Sequence, residues 1–212
     1  MSSDAIRRGF ESASSGFVDV VRQIGPGAWE RPALGAWDVR SLVGHTARAL
    51  TTIEAYLGES SPLPQVEGTV EYYLRVLSRE VDAEARDKRD AAIAARGREA
   101  GAALGEDPAA PISTLAQRVQ GLVARTPDEA PVASPAGPMM LIRYLPTRTF
   151  ELTVHTLDLS RALGLAVPAT LGPAVSASCE LAGAVAGRRP NAPDLLLLLT
   201  GREDLPPGLT IL

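Results

Sequence analysis

Two histidines, His45 and His155, and one cysteine are all that 212 residues offer to soft-metal or thiol chemistry. A lone Cys179 excludes an internal disulfide framework. It sits in the alanine-rich run Ala174-Val-Ser-Ala-Ser-Cys179-Glu-Leu-Ala, with no basic neighbour to favour its thiolate. It therefore reads as a small buried apolar residue. Aromatics make up only 4% of the chain, so the core has to come from Leu, Val, Ala and Ile. There is no basic excess: charged residues are 22% and the net charge is −4, which gives no footprint for nucleic acid. Long apolar runs are missing too. The longest, Leu195 to Leu199, is far too short to span a bilayer, and residues 1–24 are amphipathic and charged rather than a signal peptide. The expectation is a soluble cytoplasmic protein with no membrane partner. Sustained strict alternation of apolar and polar residues is also lacking, which argues against a sheet and for an all-α helix bundle.

What is present is helical periodicity. Ile6, Phe10, Ala13, Phe17, Val20, Val21 and Ile24 predict an amphipathic helix over 3–24, capped by Ser3 or Asp4. A loop with Trp29 and Trp37 follows, both read as packing residues. Asp38 predicts an N-cap for a helix over 39–58. On it, His45 falls on the shoulder of the apolar stripe, beside Leu42, Ala49 and Tyr56. A single long helix is expected over 69–103, with a solvated charged stretch from Asp82 to Asp90 and a far end weakened by Gly97, Gly101 and Gly105. A shorter helix spans 111–125, and the four prolines from Thr126 to Pro138 predict a loop. Met139 to Leu145 is ambiguous. Pro146 suits the first turn of a helix over 146–163 closed by Gly164. Helices over 170–187 and 193–199 and a tail through Leu205-Pro-Pro-Gly complete the chain.

The 146–163 helix is apolar on two sides, as buried helices are. Its one polar line is Arg148, Glu151, His155 and Asp158, at i, i+3, i+7 and i+10. The line is either a solvent face with an Arg148–Glu151 ion pair of little worth, or a site. Glu151 and His155 stand one turn apart and can aim at one point. A third ligand would come from His45, the only other imidazole. Two imidazoles and a carboxylate leave a coordination position open, as catalytic zinc sites do, and also suit iron, so the ligand types do not fix the metal. Asp158 is placed to hold the free ring N–H of His155, and Arg148 to orient Glu151 or meet an anionic substrate group.

Trp37-Asp-Val-Arg-Ser-Leu-Val-Gly-His45 resembles the Trp…Leu…His motif opening the second helix of DinB-like metalloenzymes. Arg148-Thr-Phe-Glu151-Leu-Thr-Val-His155-Thr-Leu-Asp158-Leu resembles the second motif of one branch, the mycothiol-dependent maleylpyruvate isomerase N-terminal-domain family. Leu196-Leu-Leu-Leu-Thr-Gly-Arg202 is similar to the tail of its shorter members. The resemblance implies a DinB-like four-helix up-down-down-up bundle over residues 1–165, with residues 166–212 as additional C-terminal helices packed on the same domain. It implies a divalent metal on His45, Glu151 and His155, zinc first with nickel or iron as alternatives. Asp158 and Arg148 are the candidate catalytic residues.

The implied activity is that of a metal-dependent S-transferase or isomerase. It would use mycothiol or a similar small thiol as co-substrate and an electrophilic small molecule as partner. The full-length isomerase has a further α/β domain contributing to its active site. About fifty residues follow the motif helix here, which puts maleylpyruvate isomerisation itself in question. A non-catalytic metal-binding or small-molecule-binding bundle is the alternative, and a metal-dependent hydrolase with Asp158 as base the weaker one. A homodimer through exposed helix faces is one option for assembly.

Overall fold

The computed structural model describes residues 1–59, 63–78 and 83–202. The described residues form eight α-helices, two short 3-10 helices (Pro26–Ala28 and Ala169–Leu171) and two small hairpins. α1 (Ser3–Val21) starts where its periodicity puts it, but the cap is Ser2 rather than Ser3 or Asp4: the Ser2 Oγ accepts from the Ala5 amide at 3.3 Å. Ile6, Phe10, Ala13, Phe17, Val20 and Val21 form its buried face, as expected. α2 (Val39–Gly58) is capped by Asp38, whose Oδ1 accepts from the Ser41 amide at 2.7 Å.

The expected single helix over 69–103 is two: α3 (Thr69–Leu77), closed at Ser78, and α4 (Ala83–Ala102). Asp82, where the charged stretch was set to begin, lies outside the described residues. Within the stretch, Lys88 and Glu84 form an exposed i,i+4 pair. The tail through Leu205 also lies outside. α5 (Ala109–Arg125), α7 (Gly172–Ala186) and α8 (Ala192–Leu199) fall where periodicity puts them. Cys179 does not: it is exposed on α7. Alanine-rich helices give little signal of which face turns inward, so composition misplaced it.

Two expected loops are hairpins. β1 (Pro32–Leu34) pairs with β2 (Trp37–Asp38), and β3 (Pro131–Ser134) with β4 (Gly137–Met140), both antiparallel. Their prolines and short length mask the alternation. α6 (Leu141–Leu163) runs straight out of β4, so the ambiguous segment is divided between strand and helix, and Pro146 lies inside the helix rather than at its start.

α2 and α6 start in the same way. The amides of Val39 and Arg40 donate to the carbonyls of Arg31 and Trp29, before the first hairpin. Those of Leu141 and Ile142 donate to Ala130 and Asp128, at the second. Each hairpin thus folds back to satisfy amides that a helix start leaves unpaired, and fixes where its helix begins.

α1 and α2 each pack against both α5 and α6, so the four make a square with α1 and α2 on one diagonal. This is the all-α, DinB-like bundle. α7 packs on α1, α3 and α6, and α4 lies along α2. The α2–α4 approach depends on glycine. A Cβ on Gly44 would collide with the backbone of Ala100 and Gly101, and one on Gly101 would sit 2.6 Å from the Arg40 carbonyl. Gly97 and Gly101 read from sequence as weak points of a helix; in the fold they are the contact surface. No described helix is long and apolar enough to cross a membrane.

Candidate metal centre

His45 stands about two turns into α2, and Glu151 and His155 occupy consecutive turns of α6. Each offers one ligand atom, and the three atoms lie within 4.8 Å of one another. The imidazoles meet edge to face at 4.9 Å. His155 Nε2 is 3.6 Å from Glu151 Oε2, and its Nδ1 is 3.1 Å from Asp158 Oδ2. The polar line of α6 is therefore not a solvent face. The side chains of His155, Asp158 and Glu151 keep 15, 28 and 30% exposure, enough for a small molecule to reach them.

The three ligand candidates differ in charge. Burial, then the neighbouring charge of His155, lowers the His45 pKa to about 4, so it is neutral with a lone pair to give. Its Nδ1 is buried with no hydrogen-bond partner. An unpaired buried ring nitrogen is costly, and a cation is one group that relieves it. Burial would raise Glu151, but its contact with His155 and the Arg148 charge outweigh that and bring it down to about 2. Burial would lower His155, but Asp158 and Glu151 hold it up to about 9. Without a cation, a proton on His155 takes the place of positive charge between two carboxylates. The donor set thus fits a divalent metal, and among the described residues no fourth His, Cys, Asp or Glu joins it.

Residues 10–160 match the family described as Mycothiol maleylpyruvate isomerase N-terminal domain. The chain belongs to this family. Among curated proteins and among solved structures, no relative matches. The mycothiol maleylpyruvate isomerase N-terminal-domain match runs from within α1 through most of α6, and so covers every residue of the candidate centre.

The rest of the site departs from the sequence reading in two places. Arg148 does not pair with Glu151. Its Nε donates to Thr147 Oγ1 at 3.0 Å, its Nη2 to the Tyr72 hydroxyl at 3.4 Å, and its guanidinium lies 4.9 Å from the Tyr144 ring centroid. Trp37 is more than packing. Its ring lies 4.4 Å from that of His45 and 6.4 Å from that of His155. Trp37 Nε1 donates to the Ala94 carbonyl at 3.1 Å, and Gly97 is the reason it fits, since a Cβ there would come within 3.0 Å of the indole. Trp37 also lines an open cavity of about 420 Å³ with Leu34 and Ile93. Trp29, in contrast, is plain core at 7% exposure.

Tyr144 and Tyr72 are site neighbours that the sequence reading missed. Tyr144 is four residues before Arg148 and so extends the polar line by a turn; starting α6 at Pro146 hid it. Tyr72 arrives from α3, and no pattern within α3 singles it out.

Proposed function

We propose that this chain is a divalent-metal-dependent enzyme that acts with a small thiol of the mycothiol type, as an S-transferase or thiol-dependent isomerase. The observation that carries the reading is the meeting of His45, Glu151 and His155, with no fourth such ligand among the described residues and side chains still open to solvent. Zinc is the first choice of metal, and nickel or iron suits the same ligands. Residues 166–212 are read as an extension of the domain that carries the site.

His45, Glu151 and His155 would hold the cation. Bound there, it supplies the Lewis acidity that lets a small thiol react as a thiolate at neutral pH. The residues of the chain do the rest. Asp158 fixes the ring of His155 by holding Nδ1, which leaves Nε2 for the cation. Glu151 stays ionised under the influence of His155 and Arg148. Trp37 packs its ring against one side of His45 and helps to fix it. In a transfer, the sulfur–carbon bond forms as the leaving group departs with its electron pair. In an isomerisation, sulfur adds to one carbon of a double bond, rotation follows, and expulsion of the thiolate restores the double bond. In the transfer the thiol proton goes to solvent; in the isomerisation a proton returns to the expelled thiolate, so that none is released overall.

The hydrolase reading is weaker, because Asp158, the base it would need, is engaged with His155. The test is metal content by plasma emission together with consumption of a small thiol in the presence of an alkyl halide or an activated alkene. The expected result is one metal per chain and metal-dependent thiol consumption. Stoichiometric metal without any effect on thiols would leave a non-catalytic metal-binding bundle.

A further inference from the structure

Leu34 and Ile93 are large apolar side chains that the core does not use. Ile93 is the one apolar residue larger than alanine in α4, a helix otherwise made of charged residues, alanine and glycine. Leu34, on β1, keeps 38% exposure. Both line the open cavity of about 420 Å³ between the first hairpin and α4, and Trp37 lines it with them. Ala91 and Ala94 belong to the same wall of α4, and their small size leaves the space unfilled.

Trp37 is what this cavity shares with the candidate metal centre. Its ring lies 4.4 Å from that of His45 and meets His155 edge to face at 6.4 Å. The indole is held in place. Its Nε1 donates to the Ala94 carbonyl at 3.1 Å, and Gly97 leaves room for it beside α4. The segment entering the hairpin is held too, since Arg31 Nη2 donates to the Ala162 carbonyl near the end of α6 at 3.3 Å. One fixed ring thus borders both the imidazoles and an open apolar space.

Size and charge limit what that space suits. Small-molecule sites commonly enclose about 300 to 1,000 Å³, so this one is large enough for a ring-sized group. Among the described residues, Asp90 is the only charged one in its wall, and Arg89 donates to that carboxylate at 3.0 and 2.8 Å. The lining offers no unpaired charge to attract an ion. A flat apolar group would cover the indole and the ends of Leu34 and Ile93, and take all three out of water.

We propose that this cavity seats an uncharged apolar ring of the electrophile that meets the thiol at the candidate metal centre, with Trp37 as the wall common to both. The proposal rests on the enzymatic reading above and supplies its substrate class. Leu34, Trp37 and Ile93 are binding residues in this scheme and take no part in making or breaking bonds.

The experiment uses the full chain and has a binding arm and a reaction arm. In metal-free protein, benzyl alcohol is the ring probe and propane-1,2-diol the small polar control, both followed by saturation-transfer NMR. Benzyl alcohol binds and the diol does not. In a Trp29→Phe background, where Trp37 is the sole tryptophan, benzyl alcohol also changes the indole fluorescence. Ala91→Phe fills the cavity from an exposed position, and Ile93→Asn removes an apolar wall. Each weakens benzyl alcohol by about tenfold, the scale of a lost apolar contact in a pocket. In zinc-loaded protein, consumption of 2-mercaptoethanol is followed with benzyl chloride and with chloroacetamide, each relative to its uncatalysed rate. Thiolate sulfur bonds to the carbon, chloride leaves with its electron pair, and the thiol proton goes to solvent. Benzyl chloride is preferred, and Ala91→Phe and Ile93→Asn lower the ratio of the two rates by about tenfold. No binding of benzyl alcohol, or binding indifferent to both variants, overturns the proposal. So does a ratio that neither variant changes. Zinc content and thiol consumption by the unaltered chain are read on the same samples. Their loss brings down the enzymatic reading and this proposal together, whereas an active zinc protein without ring preference brings down the proposal alone.

Discussion

α6 carries two polar lines, and they behave in opposite ways. On one, Thr149, Thr153, Thr156 and Ser160 are all buried, and each hydroxyl donates to the carbonyl four residues back at 2.6–3.1 Å. On the other, Arg148, Glu151, His155 and Asp158 are only partly buried and look outward from their own backbone. The first line is closed on itself and asks for nothing. The second leaves an unpaired ring nitrogen on His45 opposite, a proton held between carboxylates, and a guanidinium whose hydrogen bonds go to hydroxyls rather than to a carboxylate. Polar residues that satisfy one another within a helix are scaffold. Those left waiting for a partner mark where a ligand belongs.

Several substitutions would break or sharpen this contrast. The largest effect is expected from His45→Ala, which removes the only ligand candidate outside α6. Metal retained after dialysis should fall from one per chain to none while far-ultraviolet dichroism keeps its helical form. Full metal occupancy in the variant would show that His45 is not a ligand. Next is Gly44→Val, which puts a side chain into the backbone of α4. Overpacking of this kind costs about 3 kcal/mol, read as a lower urea midpoint. An unchanged midpoint would mean that α4 does not lie against α2. Asp158→Asn keeps all three ligands but loosens the ring of His155, and metal affinity should drop by about 10- to 100-fold in a competition with a chelating dye.

The pH dependence of the metal-free protein is a finer test. The contacts that hold His155 up to about 9 stabilise the fold fully below the ordinary imidazole value of 6.5, and that contribution is lost as pH rises through about 9. His45, lowered to about 4, acts in the other direction, as its contribution is lost when pH falls from 6.5 through about 4. Glu151, lowered from 4.5 to about 2, adds a further loss as pH falls from 4.5 through about 2. The thermal midpoint should therefore decline between pH 6.5 and 9, and Asp158→Asn should flatten that decline. A midpoint that rises over this range would contradict the arrangement of charges. The smallest effect belongs to the closed line. Thr153→Val should leave metal content untouched and cost about 1 kcal/mol, the net worth of one ordinary hydrogen bond. A loss of metal there would erase the distinction between the two lines.

Much of this was legible beforehand because it depends on local rules. The spacing of Arg148, Glu151, His155 and Asp158 follows from helical repeat alone, and Asp38 as a cap follows from the chemistry of an unpaired amide. The scarcity of histidine made His45 the only partner to consider. Cys179 went wrong because alanine offers no contrast between faces. The start of α6 went wrong because a proline tolerated inside a helix looks like one that opens it, and Tyr144 was lost with that turn. By itself the sequence determined that the helices form, which residues share a face, and which side chains have the chemistry of ligands. Only the tertiary structure decided that α2 and α6 run side by side at a height where both imidazoles meet, that Gly44 and Gly101 bring α4 against them, and that Tyr72 arrives from α3. Periodicity acts within a turn or two of the chain, whereas those meetings join residues as far apart in sequence as His45 and His155 and depend on how whole helices pack.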